Sequence, residues 1–282
     1  MAMPREGRNP TRIAMPRIIY GTAWKQERTE DLVVTAVQAG FRGIDTACQP
    51  RHYQEPLVGT ALQRLQTQGI GRKDLFLQTK FTPLPGHDPN RVPYDQHAPL
   101  QSQVAQSFKT SQQNLQTDYV DSLLLHSPLS PYCDLLTVWR ALEQIHTSGG
   151  ARQLGISNCY DLARLKRLYA DAEVKPTIVQ NRFYRDSGYD AALRQWCRQH
   201  DIVYQSFWTL TANPHILSSE TVFRLARRHR KTPEQIFFGF LGQIGIVPLT
   251  GTCSERHMRE DLNSFDINLT GDELESMHRL IA

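Results

Sequence analysis

A closed (β/α)8 barrel is the fold this sequence predicts, and three observations carry the prediction. Short apolar or β-branched runs alternate with longer amphipathic stretches through eight rounds. Where the runs are clearest, as in Leu123-Leu124-Leu125 and Ile178-Val179, they are continuously apolar, which parallel strands covered on both faces require. No Gly-rich phosphate loop follows the first run, although the competing fold, an open doubly wound sheet, usually needs one there. A length of 282 residues suits one barrel domain, since such barrels typically take about 250 residues.

Taken in order, strands are expected at 17–20, 42–45, 75–79, 122–125, 153–157, 177–180, 203–206 and 245–248. The first helix, 29–39, sets Leu32, Val33, Ala36 and Val37 on one stripe and is closed by Gly40. Helices follow at 56–65, 100–115, 135–147, 162–170 and 191–200. Thr232-Pro233-Glu234-Gln235 is a helix start, with a capping Thr, Pro at the first helical position and Gln at the third. Thr270 to Glu273 repeats the capping box before the last helix. The one long irregular stretch, 82–99, contains five prolines; a loop of that length is uncommon unless functional or disordered. Residues 1–15 are read as a short polar arm without a signal peptide's apolar segment, and residues 16–282 as the single barrel domain.

Composition excludes several classes. With 32 Lys and Arg against 28 Asp and Glu, the net charge is +4. The basic residues are scattered, and their densest cluster, 224–231, reads as a solvated helix face rather than a nucleic-acid site. The five cysteines are odd in number and contain no CxxC pair, so neither a disulfide framework nor a zinc site is expected; reduced thiols point to the cytoplasm. No run is long and apolar enough to span a bilayer, which takes about 18 residues. A small-molecule substrate and a monomeric state are expected, with no nucleic-acid or membrane partner.

Barrel active sites lie at the C-terminal ends of the strands, so the polar residue closing each run matters. These are Asp45, Lys80, His126, Ser157 with Asn158, Gln180, and then Phe207-Trp208. Singly each is weak: a lone His after an apolar run is usually a hydrogen-bonded structural residue. Together with Tyr53, in the loop after the second strand, they converge on one mouth.

The motifs around these residues resemble those of the aldo-keto reductase superfamily, from about Met15 to Ile281. They are Gly40-Phe41-Arg42-Gly43-Ile44-Asp45-Thr46-Ala47; Tyr53-Gln54-Glu55 with Val58-Gly59 and Ala61-Leu62; Asp74 to Lys80; Tyr119-Val120-Asp121 leading to Leu125-His126-Ser127-Pro128; and Gly155-Ile156-Ser157-Asn158. The resemblance implies reduction of an aldehyde or ketone by hydride from NADPH, with NADH the alternative, and a catalytic set of Asp45, Tyr53, Lys80 and His126. The residue types suit that chemistry. A phenol of pKa about 10 is a poor acid near neutrality, and a cation at hydrogen-bond range lowers that value. Lys80 is expected to supply the cation, Asp45 to hold Lys80, and His126 to hydrogen-bond the substrate oxygen. The resemblance also places Gly21, Thr22, Trp24, Ser157, Asn158, Gln180, Phe207, Trp208, Leu210, Gly251, Thr252, His257, Glu260 and Asp261 at the cofactor. Among them Phe207 would stack on the nicotinamide, where the family usually has Tyr. No metal is implied.

Three departures sharpen the expectations. Gly251 and His257 stand where many members carry Lys and Arg for a 2′-phosphate, with Arg256 and Arg259 as nearby substitutes. The segment from Asp45 to Tyr53 is a few residues longer than usual, an extension that costs little free energy; Tyr20 and Tyr94 are weaker substitutes for Tyr53. The chain stops at Ala282 without the tail that covers substrate in many members, so an open pocket is expected. Its walls are then loop 82–99 and the aromatics Trp24, Phe81, Tyr94, Phe207 and Trp208. Two other classes stand beside the enzyme: a cofactor-binding accessory protein on the same barrel, and a metal-dependent hydrolase or isomerase, for which Asp45 and His126 supply too few ligands.

Overall fold

The computed structural model describes residues 15–282. Residues 1–14, which make up nearly all of the expected arm, lie outside the described residues. The chain begins with β1 (Ile19–Gly21), α1 (Thr29–Ala39), β2 (Gly43–Asp45), α2 (Glu55–Thr67), β3 (Phe76–Phe81), α3 (Leu100–Leu115) and β4 (Ser122–Leu125). Next come α4 (Tyr132–Thr147), β5 (Leu154–Ser157), α5 (Leu162–Asp171), β6 (Ile178–Arg182), α6 (Ala191–Gln199) and β7 (Val203–Phe207). The last elements are α7 (Pro214–Leu217), α8 (Glu220–His229), α9 (Pro233–Gln243), β8 (Ile246–Thr250), α10 (Glu255–Leu262) and α11 (Gly271–His278). All eight strands run parallel, each pairs with the next, and β1 pairs with β8 to close the barrel.

The expected helices are found, with small shifts of their ends, and the capping boxes at Thr232 and Thr270 are both formed. Several strands start later or end later than apolar pattern indicates. β3 runs on through Lys80 to Phe81, and β8 runs to Thr250. The reason is that the barrel interior changes character along its axis. At its lower end Ile19, Phe76, Leu124, Ile178 and Leu249 pack together, with Met15 against them. Higher up, inward residues are polar, so the strands continue where the apolar run has stopped. The larger apolar layer lies outside, between strands and helices, as a sheet buried on both faces demands.

Glycine is required where the interior is most crowded. A Cβ on Gly155 would stand 2.4 Å from Leu124 Cδ2 and 2.7 Å from the Ile178 carbonyl oxygen. A backbone carbonyl in a paired strand cannot step aside. Gly155→Ala is therefore expected to lower stability by about 1–3 kcal/mol. Urea denaturation checks this as a lower midpoint at unchanged slope; an unchanged midpoint would show that β5 has room to move.

Candidate active site

The floor of the site is an ion pair sealed inside the barrel. Lys80, on β3, is 1% exposed and Asp45, at the end of β2, is 2% exposed. The ammonium donates to both Asp45 carboxylate oxygens, at 2.7 and 2.6 Å, and to the Thr46 carbonyl at 2.9 Å. Asp45 Oδ1 also accepts from Gln78 Nε2 at 2.7 Å and Gln180 Nε2 at 3.0 Å. Gln205 Oε1 accepts from both of those amides, and Gln205 Nε2 donates back to Gln78. Three glutamines from β3, β6 and β7 thus form a buried platform under the carboxylate. Burial pulls the Lys80 pKa below its ordinary value, and the Asp45 charge pushes back.

Tyr53 stands over this pair. The segment between Asp45 and Tyr53 is a compact turn built around buried Gln49. Its side-chain amide accepts from the His52 N–H and donates to the Gly86 carbonyl, while its backbone carbonyl accepts from the Tyr53 N–H. The turn is then fixed by Glu55, whose buried carboxylate accepts from Thr79, Ser111 and Asn114. The extra residues are taken up in this turn, which leaves Tyr53 beside Lys80. The Lys80 ammonium lies 5.3 Å from the centre of the Tyr53 ring. One expectation is corrected here. All three Lys80 protons are used by Asp45 and Thr46, so Lys80 gives the phenol no hydrogen bond. Burial first, and then the Asp45 charge, hold the Tyr53 pKa above its ordinary value. Tyr20 and Tyr94 are both tied to backbone carbonyls, of Thr252 and Thr82, and are not available to replace Tyr53.

His126 follows β4 with its ring edge-to-face against Tyr53, centroids 6.1 Å apart. Its backbone is held by the Phe81 carbonyl and the Asn158 amide. Burial and the Lys80 charge hold its pKa well below the ordinary value, so the ring is neutral. Nδ1 is 2.7 Å from Thr82 Oγ1. Among the described residues Nε2 has no partner, and neither has the Tyr53 hydroxyl; both residues line the same cavity.

That cavity, about 880 Å3, runs from Tyr53 across the ends of β7 and β8 to α10. Gly21, Trp24, Ser157, Asn158, Gln180, Phe207, Trp208, Leu210, Gly251, Thr252, His257, Glu260 and Asp261 all line it, as do Asp45, Tyr53 and His126. Lys80 lies beneath. Thr22 does not line it: fully buried, it spends its hydroxyl on the Asp45 carbonyl. The expected substrate wall also needs correction. Phe81 and Tyr94 are core, their rings tilted at 37° with centroids 5.6 Å apart, and no residue of 82–99 lines the cavity. The loop is instead folded onto β3 by Tyr94 and His87, which both donate to the Thr82 carbonyl.

The donor set fits a nicotinamide dinucleotide. Asn158 Oδ1 and Gln180 Oε1 accept no hydrogen bond from the described residues, while their amide nitrogens are committed to His126 and to Asp45 with Gln205. That leaves free acceptors for a carboxamide. At the far end, Thr250 donates to Asp261, whose pKa burial pushes up to about 7. Sequence reasoning missed Lys25, which lines this end beside Arg256, one of the two expected substitutes. Lys25 donates to the Gly251 carbonyl, and a Cβ on Gly251 would approach its ammonium to 3.3 Å. Lys25 therefore fills the space that a side chain at 251 would take. Arg259 pairs instead with Glu255. No sequence signal marks Lys25, because it comes from the other side of the barrel closure.

A model of the Aldo/keto reductase family matches residues 17–282. The methylglyoxal reductase DkgA of Yersinia pestis is 29% identical over 94% of this chain and 89% of its own length. The glyoxal reductase of Bacillus subtilis is 27% identical over 90% and 83%. Among solved structures, an aldo/keto reductase from Brucella melitensis superposes with a TM-score of 0.78 at 27% identity, covering 94% of this chain and 95% of that one.

The ion pair makes a test of the site's foundations. Removing one member of a buried pair typically costs about 3–5 kcal/mol, because the other charge is left uncompensated. Asp45→Ala is expected to lose that much in urea denaturation. Adding Lys80→Met should recover part of the loss. A double variant less stable than Asp45→Ala would mean the lysine charge is not what the carboxylate compensates.

Proposed function

The chain belongs to the aldo/keto reductase family, and from that premise we propose that it reduces an aldehyde or ketone to the alcohol using NADPH, with Tyr53 as proton donor. The observation that carries this reading is the pairing of two cavity-facing groups, Tyr53 Oη and His126 Nε2, neither of which has a partner among the described residues, above a sealed Lys80–Asp45 pair. A carbonyl oxygen placed between those groups would meet two hydrogen-bonding positions at once. When bound, NADPH supplies the hydride.

The chain's own residues do the rest. Tyr53 keeps its proton across the neutral range because burial holds its pKa up, and it gives that proton to oxygen as negative charge develops there. Lys80 acts through its charge rather than a hydrogen bond. At 5.3 Å from the phenol ring in a low-dielectric interior, it lowers the energy of the nascent phenolate. Asp45 and the glutamine platform keep that charge in place. Asn158, Gln180, Ser157 and Phe207 orient the nicotinamide, and orientation itself contributes to rate.

NADPH is favoured over NADH because Lys25 and Arg256 stand at the far end of the cavity, where Gly251 and His257 leave no long cationic side chain. The relatives' names make small 2-oxoaldehydes the first substrates to try. The reading includes a monomer acting in the cytoplasm on a small molecule, without nucleic acid. The five cysteines are unpaired, and no described helix is long and apolar enough to cross a membrane.

Two measurements test the proposal. NADPH oxidation with glyoxal, methylglyoxal and aromatic aldehydes is expected for the wild-type protein. It should fall at least about a hundredfold in Tyr53→Phe, while NADPH affinity by fluorescence titration stays unchanged. Cofactor binding without turnover of any carbonyl would favour an accessory protein instead. Lys25→Ala should weaken NADPH roughly tenfold, about 1.4 kcal/mol, and leave NADH nearly unchanged; equal losses for both cofactors would remove Lys25 as a 2′-phosphate contact.

A further inference from the structure

We propose that Thr82 is a positioning residue that fixes His126 in its Nε2–H tautomer, making the cavity-facing nitrogen a hydrogen-bond donor to the substrate oxygen. The role given to that donor rests on the carbonyl-reducing reading above; the tautomer itself rests on a count of protons. His126 is neutral and so carries one N–H, on Nδ1 or on Nε2. Nδ1 and Thr82 Oγ1 are 2.7 Å apart, and one of them donates.

If Nδ1–H donated to Thr82, the threonine's own hydroxyl proton would need another acceptor. Thr82 is 3% exposed, and among the described residues its hydroxyl has no partner besides His126. That proton would be buried and unsatisfied, the arrangement native structures avoid. If Thr82 Oγ1–H donates to Nδ1, every group is satisfied. The hydroxyl proton is used, the Nδ1 lone pair is used, and the remaining N–H at Nε2 points to the cavity, where a ligand oxygen or water can accept it. No other side chain competes for Nδ1. The groups facing the imidazole are Tyr53, whose ring meets it edge-to-face, and Lys80, His87 and His52, which act through charge alone.

Thr82 is held for this task on both sides. Its carbonyl accepts from Tyr94 Oη and His87 Nε2, each at 2.9 Å. The preceding residue, Phe81, packs its ring against Tyr94, and its carbonyl accepts the His126 N–H. Loop 82–99 is thus fastened to the same peptide that carries the tautomer-setting hydroxyl. A carbonyl oxygen has only lone pairs to offer. With Nε2–H it meets two donors, Tyr53 and His126. With the other tautomer it would face the Nε2 lone pair and meet Tyr53 as its one donor.

The test is 15N NMR of histidine side chains in the full-length protein, with the His126 signals assigned by their loss in His126→Gln. Carbonyl-reduction kinetics and NADPH affinity are measured alongside. Wild type and Thr82→Ser should both show a bare Nδ1 and a protonated Nε2. The near-isosteric Thr82→Val should move the ring toward Nδ1–H and reduce kcat about ten- to a hundredfold, with NADPH affinity unchanged and activity restored by serine. A proton on Nδ1 in the wild type overturns the proposal, as does Nε2–H with full kcat in Thr82→Val. Should Thr82→Val not fold, the wild-type and serine spectra still decide. Should the wild type turn over no carbonyl, the reductase reading fails while the tautomer is read independently.

Discussion

Everything at the mouth of this barrel depends on a lysine ammonium held inside it. A buried charge is costly to desolvate, and a buried pair is tolerated only where its remaining hydrogen-bonding positions are also filled. Here they are filled to the last proton: Lys80 gives all three to Asp45 and Thr46, and Asp45 takes two more bonds from Gln78 and Gln180. Because those amides come from different strands, the pair also locks β2, β3, β6 and β7 to one another at the level where the chemistry is set. A conservative-looking change in that platform leaves a buried polar atom without a partner, which costs more than the bond itself gained.

Completeness below has a consequence above. A lysine with a free N–H would hydrogen-bond the phenol and lower its pKa in the resting protein. This lysine has none, so burial prevails and the phenol holds its proton firmly. In the proposed reaction the Lys80 charge would therefore contribute chiefly as negative charge appears on the tyrosine oxygen, later than the ground state. Interactions that strengthen toward the transition state are the ones that raise kcat. An arrangement that looks unhelpful at rest is therefore consistent with a proton donor.

How far the sequence disclosed this follows from where each residue lies. Asp45, Lys80 and His126 were legible because each ends an apolar run, and the barrel brings strand ends together whatever the loops do. Tyr53 was legible through Glu55 and Gly59. Glu55 anchors the start of α2, and a Cβ on Gly59 would collide with the Asn114 carbonyl, at 2.0 Å. Gln78 and Gln205 carried no such mark: a glutamine inside a strand reads as an outward residue until the barrel closes around it. Lys25 was hidden because its partner, Gly251, lies just past the last strand, and only the β1–β8 closure makes them neighbours. Phe81 and Tyr94 were misplaced because composition reports that an aromatic is present but not which side of the strand it faces.

Loop 82–99 shows the same limit from the other direction. Its prolines marked it as unusual, and an unusual loop beside a barrel mouth invites a reading as the substrate wall. The structure ties it inward instead, through two donors on one carbonyl. What reaches the site from this loop is a single hydroxyl, and it reaches through an imidazole rather than by lining the cavity. Pattern in sequence locates an element more readily than it locates the one atom by which that element acts. A threonine at the root of a Pro-rich loop has no distinguishing context in the sequence. Its significance comes from a 2.7 Å contact and from the absence of any other acceptor for its proton, and neither can be known until the chain is folded.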